Sequence, residues 1–101
     1  MNCYVIATHD KVTNYDLYRT YKQLAVDSIK KYNGELFIRA NSTKIIAGNW
    51  DPERIVIIKF PTVNAALEWA DSPEYKEACL ISDLSADGRK QIIITSTEEI
   101  K

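Results

Sequence analysis

Residues 54–60 read RIVIIKF, Pro61 ends them, and this stretch decides the fold. Proline has no amide hydrogen for a strand ladder, so the strand stops there. Ile55, Val56, Ile57 and Ile58 are apolar in succession. Side chains alternate across a strand, so four apolar neighbours load both faces of the sheet. The same holds for Ile92, Ile93 and Ile94. Burying one Ile is worth roughly 1.5–3 kcal/mol, so strands of this kind call for cover on both sides.

Upstream, residues 3–8 (CYVIAT) predict a first strand. Thr13-Asn14 opens a helix, with Asp16 three residues past Thr13 as a capping-box-like pair. Tyr18, Tyr21, Ala25, Ile29 and Tyr32 follow at helical spacing as its inward stripe. Asn33-Gly34 ends it, because glycine accepts the left-handed conformation of a C-terminal cap. In residues 35–40, Leu36, Ile38 and Ala40 alternate with Glu35, Phe37 and Arg39, a second strand. Residues 43–47 (TKIIA) extend it or form a hairpin arm, and 48–52 make a loop with strong turn chemistry.

Downstream, Thr62 is the expected N-cap of a helix carrying Ala65, Ala66, Leu67, Trp69 and Ala70. Ser72-Pro73 restarts the helix, a cap followed by proline at the first helical position. Helical character fades before Asp87-Gly88. Residues 91–95 (QIIIT) form the last strand, and 97–101 read as a frayed tail. The order β-α-β-β-α-β is ferredoxin-like, an α+β fold with an antiparallel sheet. Its helices cover one face only. The other apolar face predicts a second copy of the same sheet, a homodimer through the open sheet face.

Composition agrees. The chain has 101 residues, enough for a single domain over 1–101, with 46% apolar and 27% charged residues. Thirteen Ile stand against six Leu, and branching at Cβ favours strands. A net charge of −1 lacks the basic footprint of a nucleic-acid binder. The apolar run in the first ten residues is too short for a signal peptide or a bilayer span, so no membrane association is expected. A cytoplasmic protein with Cys3 and Cys79 as reduced thiols follows from that reading.

The segments NYDLYRTY, YNGELFIR, GNWDPERIVIIKFPTVNAALEWADSPEY and QIIITS together carry a resemblance. The most specific run holds Trp50, Pro52, Arg54, Phe60, Pro61, Ala65, Ala66, Ser72, Pro73 and Tyr75. It resembles the family named domain of unknown function 1330. The resemblance implies a dimeric α+β barrel, in which two ferredoxin-like sheets pack face to face. Relatives in that superfamily include cofactor-free monooxygenases, lactone isomerases and haem enzymes, so the fold does not choose a reaction. This chain departs from the family pattern in having Ala40-Asn41-Ser42 after the second strand and Ala70 after Trp69. It also has Leu80-Ile81-Ser82-Asp83 where many members carry an Arg.

His9 is the one histidine, and imidazole titrates near neutrality, so it is the candidate acid/base. Its plainer reading is a solvated strand end. Arg39 and Arg54 are candidate anion clamps, since guanidinium grips carboxylates in a bidentate fork. An exposed Arg39, and an Arg54 bridged to Asp51, are the bland counterparts. Tyr15, Tyr18 and Trp50 are candidate ligand-pocket walls, whereas Tyr21, Tyr32, Trp69 and Tyr75 read as packing. One His and two distant Cys give no zinc spacing, and no phosphate-binding glycine motif occurs, so no metal and no cofactor are expected. The sequence therefore points to a small homodimeric, metal-free enzyme acting on a small organic molecule by proton transfer or cofactor-free oxidation. The alternative is a non-catalytic dimeric ligand-binding or stress-associated module.

Overall fold

The computed structural model describes residues 2–40 and 42–96. A four-stranded antiparallel sheet contains β1 (Asn2–His9), β3 (Glu35–Arg39), β4 (Arg54–Phe60) and β6 (Lys90–Ser96) in the order β3-β4-β1-β6. The helices are α1 (Tyr15–Lys31), α2 (Val63–Ala70) and α3 (Pro73–Ser85). Two-residue strands β2 (Lys11–Val12) and β5 (Ala86–Asp87) pair as a separate ribbon. This is the ferredoxin-like α+β architecture expected from the strand pattern.

Register divides the side chains between two faces. Cys3, Val5, Ala7 and His9 of β1 stand opposite Phe60, Ile58, Val56 and Arg54 of β4. Cys3, Val5, Ile58 and Phe60 are buried beneath α1, α2 and α3 with Tyr21, Ile29, Trp69 and Tyr75. On the other face, Tyr4 and Ile6 lie beside Lys59 and Ile57 on one side and Ile94 and Ile92 on the other. Phe37 and Ile92 are 52% and 59% exposed there. The apolar load on both faces predicted from residues 55–58 is therefore present.

Local physics sets the joints. Asn14, not Thr13, caps α1, its side chain accepting from the Leu17 amide at 3.0 Å. Asn33 takes the left-handed conformation after α1, with φ 65°. Gly34 serves a different need: a Cβ there would stand 2.7 Å from both Ile29 Cγ2 and the Phe60 ring. Ser72 joins α2 to α3, donating to the Trp69 carbonyl at 2.7 Å and accepting from the Tyr75 amide at 3.1 Å.

Two local expectations are corrected. A bulge between Leu36 and Ile38 shifts the register, so Leu36 faces Ile58 under the helices while Ile38 faces Ile57 on the open side. Arg39 then stands opposite Val56. Residues 43–47 form neither a strand extension nor a paired hairpin arm; residues 42–50 are an exposed loop. Its β-branched residues find no partner strand among the described residues, and strand propensity without one does not make a strand. The predicted tail at 97–101 lies outside the described residues.

Candidate functional site

β1 ends with His9 on the helix-covered face, and the β2–β5 ribbon follows at once. Thr13 and Asn14 amides donate to the Ser85 carbonyl at 2.8 and 3.1 Å, tying the end of α3 to the start of α1. Ser82, three residues earlier on α3, is thereby brought to His9.

His9 is only 4% exposed. Its Nδ1 lies 2.9 Å from the Tyr18 hydroxyl and its Nε2 lies 2.6 Å from Ser82 Oγ. Tyr18 and Tyr21 meet the imidazole edge to face, at centroid distances of 5.2 and 5.4 Å. Burial depresses the His9 pKa, the nearby Arg89 adds to this, and Asp83 and Asp10 oppose it. The ring is then neutral near pH 7, with one nitrogen donating and the other accepting. Both neighbours are hydroxyls that serve either role, so the pair accommodates either tautomer.

His9 and Tyr18 line a cavity of about 50 Å³ between the sheet and the helices. That volume holds a few water-sized groups. Its remaining wall is largely apolar, including Ala7, Ala25, Val56, Ile58 and Trp69. Arg54 supplies the cationic group, its guanidinium carbon 5.8 and 5.9 Å from the ring centroids of Tyr15 and Tyr18. Glu53 contacts Arg54 at 3.9 Å. The Glu53 carboxylate also accepts from the Tyr15 hydroxyl at 2.7 Å and the Val12 amide at 3.3 Å. Those contacts, the Tyr15 bond foremost, hold its pKa below the usual carboxylate range. Burial pushes the Tyr18 phenol upward, so it remains protonated.

Of the residues singled out from the sequence, His9, Tyr18 and Arg54 converge on this cavity. Tyr15 is exposed and holds Glu53 beside Arg54. Arg39 is exposed on β3, outside the cavity wall, on the same side of the sheet as Val56. Trp50 lies across the sheet instead, in a hollow with Ile6, Thr8 and Ile92. Arg54 pairs with Glu53 rather than Asp51. Asp10 forms no dyad with His9; it binds Lys90 at 2.9 Å.

The sequence does not single out Ser82 or Glu53. A signal for Ser82 existed, since Tyr75, Ala78, Ser82 and Ser85 form the buried stripe of α3. A hydroxyl on an inward helical face must find a partner. Glu53 carried no such sign, being one charge among several in a polar loop.

Among the described residues, no group of three His, Cys, Asp or Glu side chains could hold a metal ion. No helix among them is long and apolar enough to cross a membrane.

Solved structures share the fold. A protein of unknown function from Rhodopseudomonas palustris superposes with a TM-score of 0.76 at 14% identity, over 97% of this chain and 84% of that one. SnoaB, a cofactor-independent oxygenase from Streptomyces nogalater, gives 0.66 at 7% identity, over 98% and 96% of the two chains. A dimeric protein of unknown function and ferredoxin-like fold from Bacteroides fragilis gives 0.63 at 11% identity, over 92% and 94%. No curated protein matches the sequence. Residues 2–96 match the model of the domain of unknown function DUF1330, and the chain belongs to that family.

Proposed function

We propose that this chain is a homodimeric pocket protein that transfers a proton on a small, mainly apolar organic molecule bound in the cavity beside His9. The observation that carries the reading is the 2.9 Å contact between His9 Nδ1 and the Tyr18 hydroxyl in the cavity wall, with Arg54 in the same wall. A neutral imidazole accepts a proton, and burial keeps His9 neutral. The substrate C–H or O–H proton passes to the Tyr18 oxygen as the Tyr18 proton passes to His9 Nδ1. The resulting substrate oxyanion is stabilised by Arg54, and return of the proton to another atom completes an isomerisation. Substrates of this class are enolisable carbonyl compounds and phenols. SnoaB, which shares the fold, is described as a cofactor-independent oxygenase, and oxidation of such an anion is the related chemistry.

The dimer forms through the open sheet face, where Phe37, Ile38, Ile92 and Ile94 are exposed together. The Bacteroides fragilis neighbour is described as dimeric, which supports this reading. A second, non-catalytic reading is favoured by one observation: both His9 ring nitrogens already have hydroxyl partners. Solvent deuterium exchange separates the two. Wild-type protein in D₂O is expected to exchange the α-hydrogens of small enolisable ketones faster than His9→Asn or Tyr18→Phe. Equal rates for all three would leave the ligand-binding module standing.

A further inference from the structure

We infer that the loop of residues 42–50 is an exchange arm, which leaves its own chain and pairs with the sheet of a second copy. This rests on the proposed dimer and goes beyond it by assigning the arm its role.

Three observations meet there. The first is composition: TKIIA at 43–47 has strand character, yet it pairs with no strand among the described residues. The second is exposure. Ile46 is completely exposed, Ile45 is 52% exposed and Trp50 is 58% exposed, all on one short loop. Apolar side chains so placed mark an interaction surface. Trp50 shares its hollow with Ile6, Thr8 and Ile92 on the open sheet face, so the arm's apolar surface continues that face.

The third is area. A stable dimer buries about 800 Å² per partner. Phe37, Ile38, Ile92 and Ile94 of the sheet are exposed alongside Ile45, Ile46 and Trp50 of the loop, so the arm adds its apolar surface to what the face offers a second copy. β3, which leads into the arm, is an edge strand of the sheet, and a sheet edge is where an incoming strand pairs. A twofold dimer uses each arm once, so the exchange is symmetric and closed. The occupant of the apolar loop is thus a second copy of this chain.

Hydrogen exchange of the full chain at several protein concentrations, alongside sedimentation, tests this. The amides of residues 43–47 are expected to become protected as the dimer fills, and Ile46→Asp is expected to weaken the dimer about tenfold or more. Ile46 is wholly exposed in one chain, so the substitution leaves the protomer folded. A wild-type dimer whose 43–47 amides stay unprotected, or an Ile46→Asp dimer as tight as wild type, would overturn the arm alone. A wild-type monomer at every concentration would overturn the open-face dimer together with the arm.

Discussion

Ser82 Oγ lies 2.6 Å from Nε2 of His9, so the C-terminal half of α3 is fastened to the end of the first strand by one buried hydrogen bond. Two elements 73 residues apart in sequence meet at this point. Ser82→Ala removes the hydroxyl and leaves a buried imidazole nitrogen unsatisfied. The expected loss is about 1–3 kcal/mol, read as a lower urea midpoint with unchanged slope. Ser82→Thr, which keeps the oxygen, is expected to recover part of it.

The depressed His9 pKa makes stability depend on pH. In the unfolded chain the imidazole returns to its ordinary value of about 6.5. Between that value and the lower folded one, the unfolded state binds more protons than the folded state. Stability therefore rises with pH through this window and is lost as pH falls through it. Denaturation midpoints are expected to drop from about pH 7 downward in the wild type. His9→Asn is expected to show a smaller drop over the same range; equal slopes would contradict the assignment.

The turn after α1 divides two duties between neighbours. Asn33→Ala removes the short polar side chain that helps Asn tolerate φ 65° and is expected to cost about 1 kcal/mol, whereas Asn33→Gly relieves the constraint. Gly34→Ala drives a methyl against Ile29 and Phe60 and is expected to cost about 1–3 kcal/mol through overpacking. Thermal melts of the three variants check this ordering.

The open face carries its own test. Ile92→Asp places a charge on an exposed strand position away from the helix-covered core. The protomer is expected to keep its circular dichroism spectrum while light scattering falls to the monomer mass. An unchanged dimer would place the interface elsewhere.

Much of the fold was written locally in the sequence. RIVIIKF before Pro61 declares a strand through β-branching and a proline stop, and the Tyr18–Tyr21–Ala25–Ile29 stripe declares α1 through its period. The Leu36–Ile38 bulge was hidden, because one extra residue flips later side chains without leaving a compositional mark. TKIIA shows the opposite case: its strand propensity is real, but no partner strand meets it among the described residues. The two-residue ribbon is too short to show any period, yet it places Ser82 against His9. His9 was legible as the one titratable ring near neutrality. Its burial was not, because a strand end reads as solvated until α3 packs over it. Arg54 and Trp50 are near neighbours in sequence, but Arg54, the first residue of β4, lines the cavity beside His9, while Trp50 in the preceding loop lies in the hollow with Ile6 and Ile92.

The proposed chemistry requires the cavity beside His9 to take a small organic molecule at Arg54. An NMR titration with small enolisable ketones, phenols and carboxylates tests it directly, reading the His9 ring and the Ala7 and Ala25 methyl resonances. At least one compound class is expected to shift all three at millimolar concentration, and Arg54→Ala to weaken the anionic members about tenfold or more. No shift at His9, Ala7 or Ala25 with any class, in a wild-type protein shown to be folded, would contradict it.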